Sequence, residues 1–136
     1  TLVDQVQRAR TQVMVSMVER APSRHLMKAL MATSASGVRV TVVVHRQALG
    51  WRWRERCADL LSVGAKVYRA DDSCPFPCHA VVDGHWSSLA IDGATAKVGE
   101  GTELVVMDAA LTETLEAVFH QATAHAKRLR EATEPA

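Results

Sequence analysis

Apolar positions along this chain alternate between helical and strand periods. Leu2, Val6 and Ala9 recur at helical spacing over 2–10. The run Val13, Met14, Val15, Met17 and Val18, broken only by Ser16, predicts a strand buried on both faces. After Pro22, Ser23 is a candidate N-cap for a helix that carries Leu26, Met27, Leu30 and Met31 on one face and stops near Gly37. VRVTVVVH at 38–45 is β-branched and short, and it predicts the clearest strand. A third helix over 49–63 turns Trp53, Cys57, Leu60 and Leu61 inward and ends at Gly64.

KVYRA at 66–70 predicts a short strand, and DDSCPFPC at 71–78 a loop, because two prolines and paired aspartates do not continue a ladder. Residues 79–91 form a hairpin about the Asp83-Gly84 turn, since Asp-Gly between apolar runs is a strong hairpin signal. Residues 92–101 are loop, TELVVMD at 102–108 is the last strand, and a final helix runs from about 110 to 130. Helical crossovers between the first strands imply a parallel arrangement, to which the hairpin adds antiparallel strands. The expectation is an α/β fold: a mixed, mostly parallel sheet with helices on both faces.

The length of 136 residues supports one domain with its own core. The expected division is a domain over 1–130 and a linker or tail over 131–136. Apolar residues at 48% and charged residues at 23% are globular values. A net charge of +1 excludes a global field for nucleic acid or an anionic membrane, leaving local patches. No apolar run is long enough to span a bilayer, and no signal-peptide pattern opens the chain. The start at Thr1 reads as a fragment or processed chain. Three cysteines do not make a secreted disulfide framework, so a cytoplasmic location is expected.

The segments ARTQVMVSM, SGVRVTVVV, LLSVGAKVY, HAVVDGHW and TELVVMDAALTETLEAVF, in that order, resemble one half of the phospholipase D superfamily. The resemblance implies an active site of the form H-x-K-x4-D, with the His as nucleophile and the Lys holding phosphate charge. Anchored on Asp83, the His position falls on Phe76 and the Lys position on Cys78, and the following Gly-Ser pair falls on Ala90 and Ile91. A shifted alignment takes His79 as the His, but its Lys position is then Val81 and its Asp position Trp86. Loss of a nucleophile and of a charge clamp removes orders of magnitude in rate. The expectation drawn from this is that the chain is not an enzyme.

A narrower resemblance is to degenerate phospholipase D-like domains of LuxR-type and TrmB-like bacterial transcription regulators. It rests on GVRVTVVVH, LLSVGAKVYRADDSCPFPCHAVVD and WSSLAI. It implies a ligand-sensing or dimerising module, forming a homodimer and taking a small-molecule effector. DNA contact would come from a helix-turn-helix outside this sequence. A divergent phosphodiesterase half-domain is the alternative.

Candidate ligand residues are His45, Arg46, Phe76, Cys78, His79 and Asp83, because ligands in such sheets lie beyond strand C-termini. No cofactor is expected. A third reading makes Cys74, Cys78, His79 and His85 a zinc, haem or redox centre, since thiolate and imidazole are the ligands these prefer. WRWRER at 51–56 mixes aromatics with arginines, as a nucleic-acid contact does, but reads better as one amphipathic helix. His120 and His125 are five apart, a poor spacing for one metal. Ser87 and Ser88 lack a G-x-S-x-G context.

Overall fold

The computed structural model describes residues 2–17, 24–45, 51–70, 79–90, 103–106 and 108–129. In chain order the elements are α1 (Leu2–Arg8), β1 (Gln12–Met17), α2 (Arg24–Ala35), β2 (Arg39–His45), α3 (Trp51–Ser62), β3 (Lys66–Ala70), β4 (His79–Val82), β5 (Trp86–Ala90), β6 (Glu103–Val106), α4 (Ala109–His125) and β7 (Lys127–Leu129). The strands form one sheet in the order β6-β5-β4-β1-β2-β3-β7. β1, β2 and β3 are parallel, while β4, β5, β6 and β7 join by antiparallel ladders. The mixed sheet read from the apolar periods is therefore present.

Strand parity divides the side chains between two cores. Val13 and Val15 of β1, Val40, Val42 and Val44 of β2, and Ala80 and Val82 of β4 meet Leu2, Val6, Leu26, Leu30, Cys57 and Leu60 from the first three helices. The alternate residues Met14, Val43 and Val81 meet Leu115, Phe119 and Ala122 of α4. Full burial of each such aliphatic side chain contributes about 1.5–3 kcal/mol, so both layers are needed to hold the sheet.

Gly37 and Gly64 end α2 and α3 in the same way. Each has positive φ, +100° and +85°. Their N–H groups donate to Ser34 and Leu61, and the next residues, Val38 and Ala65, donate to Thr33 and Leu60. This six-to-one and five-to-two pairing satisfies carbonyls that a helix end otherwise leaves open, and it needs a residue tolerant of the left-handed region. α4 starts on Asp108, whose carboxylate accepts the Leu111 N–H at 2.9 Å.

The end of α4 differs from expectation. The helix stops at His125 instead of near 130, Ala126 turns extended at φ −97° and ψ 155°, and Lys127–Leu129 pairs with β3. Leu129 fits the helical spacing of Ala122 and Ala126, but it buries against the opposite face of the sheet, in the core of the first three helices. Only a strand at the sheet edge carries it there. The candidate cap Ser23 and the proposed tail at 131–136 lie outside the described residues, as do the side chains of Trp51 and Trp53.

Candidate functional site

β1, β2, β3 and β5 end on one edge of the sheet, and β4 and β6 begin there. This is the edge at which ligands of parallel sheets gather. His79 opens β4 and stands opposite Ser16 of β1, which in turn stands beside Val43 of β2. His45 closes β2 on the same edge, opposite Ala70. The structure thus brings two of the candidate residues, His45 and His79, to one edge. Arg46, Cys74, Phe76 and Cys78 lie outside the described residues.

The His79 imidazole is fully buried and meets the Phe119 ring edge-to-face, with centroids 5.9 Å apart. Ser16 is also fully buried, and its Oγ has no hydrogen-bond partner among the described residues. Leaving a buried hydroxyl without a partner costs roughly 1–3 kcal/mol, and such groups concentrate where a structure serves something besides its own stability. The hydroxyl carries no sequence signal, because a serine inside a buried strand reads only as an interruption of an apolar run.

Asp83 stands at the other end of β4. Four strand residues rise about 13 Å, so its carboxylate is remote from the edge that holds His79. It is also fully engaged. Oδ1 accepts from the Thr11 N–H at 2.9 Å, the Thr11 hydroxyl at 2.8 Å and the Gln12 N–H at 3.1 Å, and Oδ2 accepts from the Arg10 N–H at 3.0 Å. Burial opposes ionisation here, but the donors from Thr11, Arg10 and Gln12 outweigh it and hold the carboxyl down to about 2. Asp83 therefore ties the β4–β5 turn to the start of β1 and does not join the other ligand candidates. The turn itself has positive φ at both central residues, 53° at Asp83 and 74° at Gly84, with the His85 N–H donating to the Val82 carbonyl.

The same separation divides the expected metal set. His85 lies on that turn, its Nδ1 at 3.1 Å from the Asp83 carbonyl, a full strand length from His79. The two imidazoles cannot share one ion. Among the described residues no group of three or more His, Cys, Asp or Glu side chains is placed to hold a metal.

No family model matches the chain, and no curated protein matches it. Solved structures do. Nuc from Salmonella typhimurium, a phospholipase D family member, superposes with a TM-score of 0.78 at 16% identity, over 96% of this chain and 89% of its own. The chain has a phospholipase D-like fold. A phosphatidylserine synthase from Haemophilus influenzae matches this phospholipase D-like domain at TM-score 0.72 and 15% identity, over 99% of it and 37% of the synthase. TrmBL2, an archaeal chromatin protein with a novel mode of DNA binding, matches at TM-score 0.70 and 11% identity, over 94% of the domain and 49% of TrmBL2.

These neighbours overturn the expectation that the chain is not an enzyme, because phospholipase D family members, one of them a synthase, share its architecture. The sequence argument counted back from Asp83 to Phe76 and Cys78 and found no nucleophile. That count does not dispose of the imidazoles of His45 and His79, which belong to strands that meet the same edge. Among the described residues, no helix of the phospholipase D-like domain is long and apolar enough to cross a membrane.

Proposed function

We propose that this chain is a divergent phosphodiesterase half-domain. Its reaction edge is where β1, β2, β3 and β5 end, and it works as a pair of halves. The observation that carries the reading is the buried Ser16 hydroxyl, without a hydrogen-bond partner among the described residues and directly opposite His79 at that edge, in a fold shared with Nuc and a phosphatidylserine synthase. A polar group held without a partner in this position is a cost to the fold that a ligand-facing edge explains. The reaction class is cleavage of one phosphorus–oxygen ester bond by water, giving a monoester and an alcohol.

Two measurements test this. Purified protein is offered bis(p-nitrophenyl) phosphate, and nitrophenolate release is followed in the wild type, His79→Asn and His45→Asn. Slow turnover that drops at least tenfold in either variant supports the reading. No turnover, or equal turnover in all three, overturns it. Light scattering at micromolar concentration should give twice the monomer mass, and a strict monomer removes the pairing.

The likeness to TrmBL2 over 94% of this chain favours a second reading, a ligand-responsive or dimerising module of a transcription regulator whose DNA-binding part lies elsewhere. On that reading a small effector bound at the same edge changes the dimerisation constant. The light-scattering measurement repeated across candidate phosphodiesters reads that change directly.

A further inference from the structure

A second polar site opens at the opposite edge of the sheet from His45 and His79 and runs inward to Tyr68 and Phe119. The α4 helix packs on β1, β3, β4 and β5 but leaves the first residues of β1, β2 and β3 uncovered on its own face. A groove of about 160 Å³ remains there, between the strand starts and the flank of α4. Its floor is apolar, formed by Met14 and Phe119. Its walls are polar: Gln12, Arg39, Thr41, Lys66, Tyr68 and His120.

Register explains how these residues meet. Gln12 stands opposite Arg39, Thr41 opposite Lys66, and Tyr68 opposite Arg128 of β7. Arg39 is two residues before Thr41, so Arg39 and Lys66 are diagonal neighbours on one face, about 7–8 Å apart at the backbone. Like charges at that spacing repel. Among the described residues neither has a carboxylate partner. The nearby acid, Glu116, accepts from Gln12 Nε2 at 3.1 Å and lies 3.7 Å from His120 Nε2, so its charge sits on the α4 flank of the groove. Two cations, Arg39 and Lys66, thus line a half-sheltered groove in which, among the described residues, neither forms an ion pair.

We propose that this groove binds a phosphoryl group carried by a small ligand. The guanidinium of Arg39 offers paired donors matched to phosphate oxygens, the Lys66 ammonium a point charge, and the hydroxyls of Thr41 and Tyr68 single donors. The volume bounds what the groove can enclose. It equals roughly five waters at their liquid share of ~30 Å³ and falls below the ~300 Å³ at which sites for drug-sized ligands begin. One phosphoryl group with a short attached stem fits inside, and the rest of any larger ligand would extend into solvent through the open side. The apolar floor of Met14 and Phe119 would lie against that stem. The cationic end of the groove, Arg39 and Lys66, lies at the strand starts, while its inner end reaches Tyr68 and Phe119 beside the row that holds Ser16 and His79.

The test is a titration of isotope-labelled protein with inorganic phosphate, followed by amide chemical shifts, with sodium chloride at matched ionic strength as control. The expected result is a saturable shift centred on Gln12, Arg39, Thr41, Lys66 and Tyr68, absent with chloride. Arg39→Gln and Lys66→Gln, both changes on a solvent-facing rim, should each weaken it at least tenfold while leaving the thermal midpoint within a few degrees. A linear shift, the same shift with chloride, or a shift centred on Ala70 and His79 overturns the proposal. A short single-stranded oligonucleotide that moves these residues when free phosphate does not also overturns it. Should either variant fail to fold, the wild-type titration and Tyr68→Phe still decide the matter.

Discussion

Asp83 and His79 stand at opposite ends of the same four-residue strand, one bound into the turn and the other under α4. A sequence motif that joins an imidazole to an aspartate a few residues later reads them as partners. Strand geometry sets them about 13 Å apart, too far for a hydrogen bond or a shared ligand atom. The carboxylate is an architectural group, and its chemistry is that of a cap on three consecutive backbone donors.

Asp83→Asn tests this role, because asparagine tolerates the positive φ of 53° and removes only the charge and one acceptor. The loss should be roughly 0.5–1.5 kcal/mol, the net value of the hydrogen bond from the Arg10 N–H to Oδ2 that asparagine gives up. The pH dependence has a definite sign. The folded-state value, about 2, lies below the ordinary value of 3.8, so the stabilisation is complete above about pH 4–5 and is lost as pH falls toward 2. Urea midpoints at pH 7 and pH 2.5 should therefore fall further in the wild type than in Asp83→Asn.

Cys57 is buried in the core of the first three helices, and desolvation raises its thiol to about 11. Thiolate is the reactive form, so this cysteine should resist Ellman's reagent at pH 8 in the native protein and react at once in denaturant. Peptide-level mass spectrometry after brief alkylation assigns the protected site. The same raised value means that its stabilising contribution holds below about pH 9 and fades as pH climbs through 11.

Phe119 joins the two sites, lying edge-on to His79 and forming part of the groove floor. It is 1% exposed. Phe119→Ala should cost about 3–5 kcal/mol in denaturant unfolding, and Phe119→Leu distinctly less.

Much of this architecture is legible in the residues themselves. VRVTVVV is a strand by composition, Asp83-Gly84 is a turn by dihedral need, and Gly37 and Gly64 mark helix ends by the positive φ they supply. What is hidden depends on distant partners. β7 is masked because Leu129 continues the spacing of the preceding helix and is claimed by β3 only in three dimensions. The reach of Asp83 to Thr11 spans 72 positions and leaves no local trace. Arg39 and Lys66 look like ordinary polar positions on separate strands, and only the β2–β3 register makes them neighbours.

The contact between Ser87 Oγ and Thr112 Oγ1, at 2.8 Å and fully buried, supplies the last test, because it pins the first turn of α4 to β5. Removing one hydroxyl takes one buried hydrogen bond from the other, which costs roughly 0.5–1.5 kcal/mol. Removing both leaves less to satisfy. Thr112→Val alone should therefore destabilise more than it does in a Ser87→Ala background. The double-mutant cycle, measured by urea unfolding, should return a coupling of about 0.5–1.5 kcal/mol. A coupling of zero would mean that the two hydroxyls act independently, and that the apolar contacts of Leu115, Phe119 and Ala122 seat the helix without help from this pair.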